Sequence, residues 1–122
     1  MPRILVIDDD PALAELLEAL LEAADYEVVV ANDGRAGLAA MTADPPPDAV
    51  VLDINLPAVD GFQVLEAVRD RPGPAPPILV LTARYGQDDA RRARALGAAD
   101  FLAKPFSNRT LLTRISALLR PR

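Results

Sequence analysis

Five polar side chains hold most of the chemistry open to this sequence: Asp8, Asp9, Asp53, Thr82 and Lys104. They stand at or just after short apolar runs, Ile4–Ile7, Ala49–Leu52, Ile78–Leu81 and Phe101–Ala103. The chain has no histidine and no cysteine, so it lacks the usual general base, a thiolate nucleophile and the softer metal ligands. Oxygen chemistry remains. Three carboxylates gathered in one cleft repel and raise one another's pKa values unless a cation sits among them. An all-oxygen donor set suits Mg²⁺, with Mn²⁺ as a substitute. Beside such an ion, a lysine ammonium and a threonine hydroxyl could hold the remaining oxygens of a phosphoryl group. Phosphoryl transfer asks chiefly for positioning and charge neutralisation, which these groups supply.

Taken singly, each residue has a plainer role. Asp9 or Asp10 can cap a helix, Asp53 ahead of Asn55 and Pro57 can belong to a turn, Thr82 can end a strand, and Lys104 can be surface charge. Lys104 is nevertheless the one lysine among 13 basic residues, which favours a task needing a compact point charge. What marks a site is the shared placement of the five at the ends of apolar runs.

Those runs, with a further one at Val28–Ala31, are β-branched and nearly continuous, as in parallel strands covered on both faces. Between them lie helical patterns. Leu13, Leu16, Leu17, Leu20 and Leu21 form one stripe, with Glu15, Glu18 and Glu22 outward and Asp10-Pro11 as its start. A second, alanine-held helix is expected around Arg35–Ala43, and a third through Val64, Leu65 and Val68 that Pro72 ends. A fourth carries Asp88, Asp89, Arg91, Arg92 and Arg94, with Asp88 and Arg92 spaced as an i,i+4 pair. Ser107 caps the fifth, whose stripe is Leu111, Leu112, Ile115, Leu118 and Leu119.

Five alternations of strand and helix in 122 residues predict an α/β fold, a (βα)₅ doubly wound parallel sheet in order 2-1-3-4-5. Right-handed crossovers put helices on both faces, and the carboxyl ends of the strands form the ligand crevice. Strands one and three are then neighbours, so Asp8, Asp9 and Asp53 converge. The proline segments Pro45–Pro47 and Pro72–Pro77 fall at the opposite end, where strands begin.

Residues 1–60 carry 13 acids and 2 arginines, while residues 61–122 carry 5 acids and 11 bases, giving the net −5. An acidic domain is a poor nucleic-acid binder by itself. No apolar run approaches the roughly 18 residues of a membrane span, and the first segment meets acid too early for a signal peptide. A cytoplasmic protein without membrane attachment is expected, with one domain over residues 1–120 and residues 121–122 as the start of a linker or the C-terminal end.

Asp8-Asp9, the stretch Asp53-Ile54-Asn55-Leu56-Pro57-Ala58-Val59-Asp60-Gly61, Leu81-Thr82-Ala83 and Lys104-Pro105-Phe106 resemble the signature of the receiver domain of two-component response regulators. Order and spacing agree over essentially the whole chain. The resemblance implies a flavodoxin-like sheet and makes Asp53 the phosphoacceptor, taking phosphate from a sensor histidine kinase or phosphotransfer protein. It implies that Asp8, Asp9, Asp53 and the backbone carbonyl of Asn55 gather Mg²⁺, with Asp8 acting largely through water. Thr82 would be the switch hydroxyl, Lys104 the partner of a phosphoryl oxygen, and the Lys104–Pro105 peptide cis. Phe101 resembles the aromatic switch and, lacking a phenolic hydroxyl, is expected inward. Asn55 and Arg84 resemble the positions that tune hydrolysis of the acyl phosphate. The protein would catalyse its own phosphorylation and dephosphorylation without being an enzyme in the ordinary sense.

Leu81-Thr82-Ala83-Arg84, Gly97-Ala98-Ala99-Asp100 and Leu118-Leu119-Arg120 look most like receivers of winged-helix transcription regulators. That likeness implies a transcriptional output and a homodimer through the fourth helix, fifth strand and fifth helix. Ala90, Ala99 and Thr110 depart from it, standing where the subfamily usually has charges.

Other readings of the same fold fit less well. A flavin carrier would want a hydroxyl- or glycine-rich loop where Asp8-Asp9-Asp10 stands. An aspartyl-phosphate phosphatase would want an acid at position 55 instead of asparagine, and an adaptor that takes no phosphate would lack one of the five residues.

Overall fold

The computed structural model describes residues 1–43, 45–56, 60–83 and 87–120. Its elements are β1 (Arg3–Ile7), α1 (Pro11–Ala23), β2 (Glu27–Ala31), α2 (Gly34–Met41) and β3 (Ala49–Asp53), then α3 (Gly61–Arg69), β4 (Ile78–Thr82), α4 (Gln87–Ala95), β5 (Asp100–Ala103) and α5 (Asn108–Leu119). The five strands are parallel in order β2-β1-β3-β4-β5, as the alternation predicts. Asp10 starts α1 as expected, its Oδ1 accepting the Ala12 N–H at 3.0 Å with Pro11 in the first turn. Asp60 and Gln63 close a reciprocal capping box at α3, and Ser107 accepts the Thr110 N–H at the start of α5.

Apolar side chains fill both faces of the sheet. Leu5, Val50, Leu52 and Val80 pack under α2, α3 and α4 with Phe62, Leu65 and Ala93. Ile4, Val6, Val51, Leu79 and Leu81 pack against Leu17 and Leu21 of α1 and Leu111 and Ile115 of α5. Every residue of β3 and β4 is buried. The edge strand β2 alternates instead, with Val29 left 39% exposed. It pairs only with β1, so its covering is incomplete, and the continuous apolar run overstates its burial.

Four local expectations are corrected. Leu16 is 51% exposed, because Leu17 and Leu21 supply the inward stripe of α1. Helix α2 ends at Met41, where the Thr42 N–H turns back to the Ala39 carbonyl. Helix α3 ends at Arg69, before Pro72, because the N–H groups of Asp70 and Arg71 close its last turn on Glu66 and Val68. Arg92 also leaves Asp88 and lies over the Phe62 ring, 4.0 Å from its centroid. An exposed i,i+4 ion pair is worth only tenths of a kcal/mol, less than a guanidinium gains on an aromatic face.

Gly61 sets the loop that follows β3. Its N–H donates to the Ile54 carbonyl at 3.0 Å, and a Cβ there would lie 2.5 Å from Ile54 Cα. Only glycine lets α3 start this close to the end of β3. Among the described residues, no helix is long and apolar enough to cross a membrane.

Candidate functional site at the carboxyl ends of the strands

Asp8 leaves β1 directly, and its N–H donates to the Ala31 carbonyl at 3.0 Å. Its Oδ1 accepts the Asp10 N–H at 2.9 Å. Asp53 is the last residue of β3, which lies beside β1 with Ile7 opposite Leu52. One oxygen of Asp53 accepts the Asn55 N–H at 2.9 Å and the other accepts from Lys104 Nζ at 3.0 Å. Asp8 and Asp53 are buried, whereas Asp9 is exposed at the rim. One carboxylate oxygen from each of the three lies within 4.8 Å of the others. The predicted convergence is therefore present.

Thr82 ends β4 and is fully buried, opposite Ala103 of β5. Its carbonyl accepts the Lys104 N–H at 2.8 Å, which joins threonine and lysine through the backbone where β5 runs out. The Lys104–Pro105 peptide is cis, as the resemblance implies. Phe101 is partly buried and packs against the core beneath α2, α3 and α4. Arg84 lies outside the described residues, as do Pro57–Val59 of the motif after Asp53.

The electrostatics carry one correction. The Asp8 carboxyl is raised from 3.8 to about 6, and burial is the main cause; the charge of Asp53 adds to it, while the Asp10 N–H and Lys104 oppose it. Crowding of carboxylates alone suggested mutual repulsion as the main cause, but transfer of the charged form out of water outweighs it. The Oδ2 atom of Asp8 is buried without a hydrogen-bond donor. A buried, donorless oxygen within an all-carboxylate set suits a hard divalent cation, and the donor chemistry fits Mg²⁺.

Sequence reasoning missed one feature nearby. Arg114 of α5 donates from Nη1 to both oxygens of Asp100, each at 2.9 Å. The two residues lie 14 apart, and the only signal was an acid at the start of a strand with an arginine on the following helix.

Residues 4–116 match the model of the response regulator receiver domain. The chain belongs to the response regulator receiver family. It is 45% identical over 121 residues to the DNA-binding dual master transcriptional regulator RpaA of Synechocystis, covering 98% of this chain and 50% of that protein. It is 40% identical over 120 residues to the transcriptional regulatory protein CpxR of Escherichia coli, covering 98% and 50%. This receiver thus spans about half the length of the curated relatives it matches. Their names are those of transcriptional regulators, the class that the motifs around Thr82 and Gly97 suggested. Among solved structures, the receiver domain of Francisella response regulator 1452 superposes with a TM-score of 0.90 at 29% identity, covering 98% of this chain and 97% of that one. The BeF3-activated N-terminal receiver domain of RstA from Klebsiella pneumoniae gives 0.89 at 30% identity, covering 98% and 99%. At the other end of the sheet lies a hollow of about 760 Å³, lined by Val68, Arg71, Ile78 and Leu96 among others.

Proposed function

We propose that Asp53 is the phosphoacceptor of this receiver. The observation that supports it is the environment of that one carboxylate: buried, 3.0 Å from the ammonium of Lys104, and within 4.8 Å of the oxygens of Asp8 and Asp9. An Asp53 oxygen attacks phosphorus as the P–N bond of a phosphohistidine breaks, leaving an acyl phosphate on Asp53 and an imidazole on the donor. Asp8, Asp9, Asp53 and the backbone carbonyl of Asn55 would hold Mg²⁺, or Mn²⁺ in its place. When bound, the ion neutralises charge on the carboxylates and on the incoming phosphoryl oxygens. Lys104 turns from Asp53 to a phosphoryl oxygen and offsets the charge that the new group brings. Asn55 and Arg84 tune access of water to the acyl phosphate, whose hydrolysis the receiver itself promotes.

Thr82 and Phe101 form the switch: the hydroxyl moves toward the phosphoryl group, the ring shifts with it, and the α4–β5–α5 face changes. The partners are a sensor histidine kinase or phosphotransfer protein and a transcriptional output. Residues 1–120 form the receiver. Pairing of two copies through the α4–β5–α5 face follows from the same resemblance, while nucleic acid is left to the output.

The test is incubation with acetyl phosphate and Mg²⁺ followed by intact mass. One added phosphoryl group, absent in Asp53→Ala and without Mg²⁺, is the expected result. An equal gain in Asp53→Ala would overturn the assignment.

A further inference from the structure

Strand β5 is the edge of the sheet, bonded only to β4. The Lys104 N–H reaches the Thr82 carbonyl, so in a parallel ladder alternate N–H groups of β5 point to β4 and that of Phe101 points off the open edge. A side chain caps it: Asp100 Oδ1 accepts the Phe101 N–H at 2.8 Å. The same carboxylate receives both bonds from Arg114. Arg114 is fixed in turn by α5, where Leu111 and Ile115 on either side of it are fully buried. Leu102 packs toward α1 and α5 while Phe101 packs toward α2, α3 and α4. Asp100, two residues from Leu102, shares the α5 face, so its bond to the Phe101 N–H links the two faces around the strand edge.

We infer that Asp100 and Arg114 are positioning residues for Phe101: the α5 guanidinium holds the Asp100 carboxylate, and that carboxylate holds the backbone that aims the ring. This rests on the switch role proposed for Phe101. A shift of α5 relative to β5 then moves Phe101 without any contact at Asp53, and by linkage a phosphoryl group on Asp53 changes the hold of Arg114 on Asp100. The pair is only partly shielded, at 41% exposure for the Arg114 side chain and 23% for Asp100, so salt weakens it.

Fluorine NMR of protein carrying 4-fluorophenylalanine tests this, because the chain has three phenylalanines and Phe101→Leu assigns the signal of interest. The wild-type Phe101 signal is first moved with Mg²⁺ and trifluoroberyllate as the phosphoryl mimic. In Arg114→Ala about half or more of that displacement is expected before the mimic is added. Arg114→Lys restores most of the wild-type position. Asp100→Asn, which keeps an oxygen for the Phe101 N–H but loses the charge that Arg114 grips, falls between. Raising salt should move the wild-type signal toward that of Arg114→Ala and leave the variant's own signal in place. Variant signals at the wild-type position, with only a lower melting temperature, would reduce the pair to a structural contact and overturn the inference. A wild-type signal that ignores the mimic would instead sink the switch role of Phe101, a separate failure read before any variant is made.

Discussion

Lys104 Nζ lies 3.0 Å from Asp53 Oδ2, joining the end of β5 to the end of β3 across β4. The contact is 95% shielded on the carboxylate side and 22% exposed on the lysine side, so the cation can turn without leaving the rim. Among the described residues it is the cation paired with a carboxylate that already faces two others. Substituting Lys104→Met should therefore leave the fold intact and slow phosphoryl uptake from acetyl phosphate on the order of 100-fold, the scale for losing one preorganised charge partner. The time course by intact mass checks this.

Asp8 makes stability depend on pH. Its carboxyl is raised from 3.8 to about 6 in the folded chain, so folding favours the protonated form. That contribution is complete below about pH 4 and lost as pH rises through about 6. In EDTA, urea midpoints should fall between about pH 5 and pH 7. Asp8→Asn should flatten the fall and raise stability at neutral pH, by on the order of 3 kcal/mol at most.

Divalent ions should act in the opposite sense. An ion that binds only the folded chain stabilises it by mass action. Millimolar Mg²⁺ should raise the melting temperature at about pH 7.5 and do so much less at about pH 5.5, where the protonated Asp8 is a poor ligand. Asp9→Asn should reduce the rise while leaving the temperature measured in EDTA nearly unchanged, since Asp9 is exposed. A rise of equal size in the variant would exclude Asp9 from the ion site.

Gly61→Ala should destabilise, against the helix propensities of the two residues. The added Cβ would lie 2.5 Å from Ile54 Cα and press on the loop that leaves Asp53. A loss of about 1–3 kcal/mol in urea unfolding is expected, the range for overpacking. A gain would mean that the loop yields easily.

Much of this was written in the residues themselves. Period and punctuation alone placed the five strands and their order, since β-branched runs separated by amphipathic stretches leave few ways to cover both faces of a sheet. The rim of Asp8, Asp9, Asp53, Thr82 and Lys104 followed from that order, because each stands where its strand ends. Other facts depended on the packing of distant segments. Burial, more than repulsion, raises Asp8, and no local pattern reports how much water a loop excludes. Leu16 and Leu17 are alike in sequence, yet only the second meets the core, because the docking angle of α1 decides which side of the helix turns inward. The grip of Arg114 on Asp100 and the seat of Arg92 over Phe62 join different elements through surface charges. Such side chains have many partners within reach along a chain, and only the assembled fold selects one.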